Sequence, residues 1–317
     1  MNADFDASTL HEHPVATPRT LVRTPVLLLV VALLLGGCAA SGVPDARQSL
    51  GPEERRAFDE LVLRMLDREA LYTVAGGLKP MSSGFWSHRL STEEPDLEPL
   101  ARTRALLELI EDGEIAAGVM VFAAEWDSKR SAEAFVVHRA SMRRMLNEQR
   151  AFWAPLGIDP GTDPEVVIAI AERLPRLDRF RAYGYLFGYP DDAIDFFVAA
   201  AAEQEETGSL VRRRFISVPT HEAETNRFVW AVPEDYAGDP REDEIREIAG
   251  PILDAYREKR ERYGERTPAA LFRAVRRAWP RRPGRRVGRR RVPAGAGEPV
   301  TRGDSGRGMP LVFQLSR

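Results

Sequence analysis

Apolar residues recur at helical spacing through much of the chain. After Pro52, a favourable first-turn residue, Phe58, Leu61, Val62, Met65 and Tyr72 fall on one face, and Gly76 and Gly77 stop the segment. Glu53 and Glu54 sit where the helix dipole welcomes negative charge. Further helices are predicted over 95–109, 128–153 and 191–205. Another opens at Asp163-Pro164-Glu165, and a last one runs from Asp239-Pro240 to Gly264 with a kink or break at Gly250-Pro251. In the 128–153 segment Phe135, His138, Met142 and Met145 share the apolar face, which makes His138 a buried neutral imidazole. The unbroken apolar stretch 116–123 reads as a buried strand. Residues 180–189, aromatic and interrupted by Gly, read as strand and turn, and 215–218 with 227–232 as two strands flanking a loop. Residues 78–88 read as an irregular connection. With no internal repeat and no regular βαβ order, the expectation is an α+β fold: a predominantly helical single domain over 51–265 with a small sheet of about four strands.

One stretch follows neither period. Residues 26–35 are ten consecutive apolar positions, preceded by Arg19 and Arg23 and ending in Leu35-Gly36-Gly37-Cys38. The run is too short to span a bilayer, which needs about 20 residues, but has the length of a signal-peptide core. With small residues before the only cysteine of the 317 residues, it resembles a bacterial lipoprotein signal peptide with its lipobox. The resemblance covers residues 19–38 and implies removal of 1–37, lipid attachment to Cys38, and a linker over 38–50. It places the protein on the cell membrane or outer membrane, lipid-anchored and facing the periplasm or exterior. Ala39, where an Asp would favour inner-membrane retention, leans towards the outer membrane. His11 and His13 fall in the removed segment. A mature protein with Cys38 acylated has no thiol left for a disulfide or a nucleophile.

The formal charge of −3 is unevenly distributed. After Thr267 thirteen arginines stand against Glu298 and Asp304, a net +11, so residues 1–267 carry −14. Ten of those arginines lie between Arg273 and Arg291 among Pro, Gly and Trp279. The segment 266–317 reads as a disordered basic tail. Anionic polymers or anionic lipid are its expected partners through non-specific charge; no specific nucleic acid is expected.

Candidate chemistry in the body is sparse. The stretch 78–88 gathers Lys79, Ser82, Ser83, Trp86 and His88 around Gly84, a set able to hold an anion or supply a nucleophile. It contains neither a Ser-x-x-Lys nor a Gly-x-Ser-x-Gly motif. Asp191 and Asp192, with Asp195 behind them, pair carboxylates at a helix start, where capping is their ordinary role. His221-Glu222 lacks the second histidine of a zinc-protease helix and reads as an exposed turn. The Gly303-Asp304-Ser305-Gly306 segment departs too far from the serine-protease pattern to count. No cofactor and no metal site are expected. The leading expectation is a membrane-anchored envelope protein that binds or scaffolds. Its rival is an envelope hydrolase or metal-assisted enzyme, which requires the 79–88 stretch, His221 and Asp191/Asp192 to converge on one pocket.

Overall fold

The computed structural model describes residues 47–264 and 267–278, all within one compact unit. Cys38, the expected signal segment and the expected tail beyond Ala278 lie outside the described residues. The fold is α+β, with two small antiparallel sheets and ten helices among the described residues.

Helix α1 (Pro52–Asp67) buries Phe58, Leu61, Val62, Met65 and Leu66 along the expected face. A single turn, α2 (Leu71–Val74), follows and stops at Gly76 and Gly77, both at positive φ. At Gly77 a Cβ would fall 2.3 Å from Ser141 Oγ and 2.4 Å from His138 Nδ1, so only glycine fits. The chain then enters β1 (Met81–Ser91), where an irregular loop was expected. After α3 (Glu98–Glu108), β2 (Ile115–Trp126) and β3 (Lys129–His138) form a hairpin, and β3 pairs on its other side with β1.

The single long helix expected over 128–153 is therefore corrected. Asp127 and Ser128 both adopt positive φ (54° and 50°), the geometry of a two-residue hairpin turn, and reverse the chain into β3. Helix begins only at α4 (Arg139–Glu148) and continues as the short α5 (Arg150–Trp153). His138 is thus a cap rather than a mid-helix core residue: its Nδ1 accepts the Ser141 backbone N–H at 3.2 Å. Burial holds its imidazole pKa below the ordinary value.

The inner half of the three-stranded sheet is covered on both faces, which is why 116–123 carries no polar alternation. On one face Phe85, Ile115, Ala117, Ala134 and Val136 meet helices α1 to α3 and the later elements. On the other, Met81, Met120, Phe122, Phe135 and Val137 meet α4, α6 (Pro164–Glu172) and α7 (Arg176–Leu186).

Helix α7 is a second correction, since 180–189 was read as strand and turn. Phe180, Tyr183 and Leu186 line one helical face, and Gly184 is a packing site: a Cβ there would lie 2.6 Å from Ile194 Cγ1 of α8 (Asp191–Thr207). The turn comes after it, at Gly188 (φ +71°). Strands β4 (Arg213–Val218) and β5 (Phe228–Pro233) pair as a separate ribbon, so among the described residues five strands stand in two sheets where one small sheet of about four was expected. Helix α9 (Pro240–Tyr263) runs through Pro251 without the expected break, with Pro251 on its exposed side. Helix α10 (Pro268–Ala278) lies beyond the expected body boundary at 265. Leu271 and Phe272 are fully buried, and Arg276 is ion-paired with Asp112 and with Glu114 (2.8 Å). The packed body extends to Ala278.

Candidate functional site

Three elements enclose an aromatic cleft that opens partly to solvent. Helix α7 contributes Phe180, Tyr183 and Phe187 just past its end, α8 contributes Ile194 and Phe197, and β5 contributes Trp230. Tyr189 stands on the turn between the helices. Phe180 and Phe197 meet edge to face at 5.2 Å, and Tyr183 and Phe187 stack at 5.6 Å. Two polar atoms of the lining are engaged with carboxylates. Tyr183 Oη donates to Glu172 Oε2 at 2.5 Å, and Trp230 Nε1 donates to Glu242 Oε1 at 3.3 Å. Both carboxylates are themselves buried. What the cleft presents is ring and alkyl surface, the usual character of a small-molecule site.

Lys79 lies beside this cleft. It is fully buried, and its ammonium rests over the Phe228 ring (4.4 Å to the centroid) and the Phe187 ring (5.4 Å). Among the described residues that ammonium makes no hydrogen bond and no ion pair. Desolvation lowers its pKa to about 8, partly opposed by the negative charge of Glu69. The chain holds Lys79 in place from two sides: its backbone N–H bonds Tyr72 O, and the missing Cβ of Gly188 lets the α7–α8 turn close onto the 78–80 backbone.

A second buried ionisable group lies on the sheet. Glu133, at the centre of β3, accepts from Ser83 Oγ at 3.0 Å through one oxygen, while its Oε1 is buried without a partner. Burial outweighs the Ser83 bond and raises its pKa to about 7. Opposite it, β1 is irregular between Ser83 and Ser87 and Gly84 takes φ +79°, the kind of bulge that re-aims side chains. Glu69 acts electrostatically on Lys79, Glu133 and the Tyr189 hydroxyl alike. These residues therefore form one neighbourhood. Glu133 and Tyr189 were not singled out from sequence; the signals were a lone carboxylate inside the apolar run 132–137 and an aromatic between Gly188 and Pro190.

The other sequence candidates are dispersed. Ser82 and Ser83 point to opposite faces of β1: Ser82 Oγ bonds Thr73 Oγ1 (2.8 Å) and Glu69 O, on the side away from Glu133. His88 is about 20 Å of strand further along, paired with Ala132 and stacked on Trp86 at 6.1 Å. Asp191 accepts from Gln149 Nε2 (3.0 Å) and Asp192 from Tyr236 Oη (2.8 Å). Both sit in the first turn of α8, where they complement the dipole, but neither caps a backbone N–H as expected. His221 packs its ring edge on Tyr256 with Nε2 3.8 Å from Asp67 Oδ1. No hydrogen bond or ion pair joins any two of Lys79, His88, Asp191, Asp192 and His221.

Among the described residues no three His, Cys, Asp or Glu side chains converge as a metal site, and no helix is long and apolar enough to cross a membrane. Compared with protein-family models, with curated proteins and with solved structures, the chain matches none.

Proposed function

We propose that this is a lipid-anchored envelope protein that binds an apolar small molecule, with the aromatic cleft between α7, α8 and β5 as its site. The cleft carries the reading: its wall is ring and alkyl surface, with Tyr183 Oη and Trp230 Nε1 held by carboxylates, which suits a ligand with a hydrocarbon or aromatic body. The anchor rests on the lipobox ending at Cys38, outside the described residues. Of the arginines assigned to a polyanion-binding tail, Arg276 is taken up by Asp112 and Glu114, so any such contact falls to the others.

The test is a fluorescence titration with 3-phenylpropanol, a neutral aromatic probe. A saturable change that disappears in Trp230→Phe supports the cleft as the site. No saturable change, or one that survives in Trp230→Phe unaltered, overturns it.

A further inference from the structure

We infer that Lys79 is an imine-forming lysine, whose amine condenses with the carbonyl of an apolar aldehyde or ketone held in the aromatic cleft. The inference rests on the cleft reading above and adds the reactive group of the ligand.

The geometry comes first. An ammonium is a compact, strongly hydrated charge with three donors, and burying one without a hydrogen bond or an anion is costly. Lys79 is 2% exposed and among the described residues its ammonium makes no hydrogen bond or ion pair, with the Phe228 and Phe187 rings beside it. Phe187 is also a wall of the cleft, and its neighbour in the wall, Tyr189, stacks on Phe228 at 6.2 Å. The amine therefore stands directly behind the cleft lining. Imine formation requires the Phe187 or Tyr189 ring to rotate aside and open the amine to a bound ligand.

Charge selects the ligand class. The charged group that acts on Lys79 is Glu69, whose carboxylate already balances one positive charge at a distance. An anionic head would bring an uncompensated second negative charge into this interior. A carbonyl is neutral, and the iminium it forms keeps Glu69 as its counter-charge. Desolvation supports the chemistry by leaving a substantial share of Lys79 as the free amine near neutral pH, as in other desolvated nucleophilic lysines.

The step balances without an oxidant or reductant. The amine nitrogen attacks the carbonyl carbon, the C=O electron pair moves to oxygen, and a proton passes from nitrogen to oxygen to give a carbinolamine. The C–O bond then breaks with loss of water, the C=N bond forms, and nitrogen releases its remaining amine proton. One aldehyde and one lysine give one imine and one water.

The chain has only three lysines, so exposed Lys129 and half-buried Lys259 are internal controls. The purified full-length protein is incubated at pH 7.5 with 3-phenylpropanal and cyanoborohydride, then digested and mapped by mass spectrometry. At that pH a lysine of pKa 8 is about a quarter free amine and an ordinary one about 0.1%, so the ceiling on selectivity is of order 10². Modification of Lys79 at least about tenfold faster than of Lys129 and Lys259 is expected, with saturation in aldehyde and competition by 3-phenylpropanol. Lys79→Met is expected to bind 3-phenylpropanol as the wild type does while giving no selective adduct. If the alcohol binds but Lys79 reacts no faster than Lys129, the imine is overturned and the cleft reading stands. If the alcohol does not bind, the cleft reading falls, and the apolar ligand class falls with it.

Discussion

Replacing Lys79 by Met is expected to stabilise the protein at neutral pH, and the pH dependence of that gain carries the physical content. Burial moves the lysine pKa from 10.5 to about 8. Below pH 8 both the folded and unfolded states carry the proton, and the folded state bears the full cost of a desolvated ammonium. Between pH 8 and 10.5 the folded state has released the proton while the unfolded state still holds it, so wild-type stability rises with pH. The shift corresponds to about 3 kcal/mol, at about 1.4 kcal/mol per pH unit within the window. Met keeps the apolar stem and drops the charge. Losing the two ring contacts of the ammonium costs the variant about 0.5–2 kcal/mol each, but that offset does not vary with pH below 8. The net gain at pH 7 is therefore expected to be no more than about 2 kcal/mol. The difference between wild type and variant should move by about 3 kcal/mol in favour of the wild type between pH 8 and 10.5. Urea unfolding of both proteins at half-unit steps from pH 6 to 10.5 measures it, since groups common to both cancel in the difference. A difference that stays flat within about 0.5 kcal/mol over that window would refute the claim of an unpaired, desolvated ammonium at this position.

Glu133→Gln is expected to leave stability unchanged below pH 4.5 and to raise it by up to about 3 kcal/mol above pH 7, because a carboxyl with its pKa raised to about 7 loses folded-state stability as pH climbs from 4.5; the same unfolding series checks it. Gly77→Ala should cost at least about 2 kcal/mol, combining a positive φ with a Cβ forced onto Ser141 and His138, and chemical denaturation should locate the loss. Phe272→Ala should cost about 3–5 kcal/mol if α10 belongs to the core, whereas a segment outside the fold would lose nothing. Cys38→Ser should release the protein from membranes into the soluble fraction, read by fractionation and by mass spectrometry of the mature N-terminus.

The sequence by itself determined the elements whose signals are local. Pro52 with two glutamates and an amphipathic face specified α1, the Asp239-Pro240 start specified α9, and the apolar run 116–123 specified β2. In each case the information lies within a dozen residues. The α+β class followed from their order. Tertiary structure decided the rest. Residues 129–138 carry apolar positions compatible with either period, and a two-residue turn at Asp127-Ser128 together with pairing to β1 and β2 made them a strand. Gly184 reads as an interruption along the chain, yet it is the place where α8 needs close approach. Lys79 was visible as a candidate, but its grouping with Ser82, His88, Asp191 and His221 followed proximity in sequence and residue type. Strand geometry sends neighbours to opposite faces and carries His88 about 20 Å away. Its actual neighbours, Phe187, Tyr189 and Phe228, come from more than a hundred residues further on. Burial is a property of what packs around a side chain, so the sequence named the lysine and only the fold removed its water.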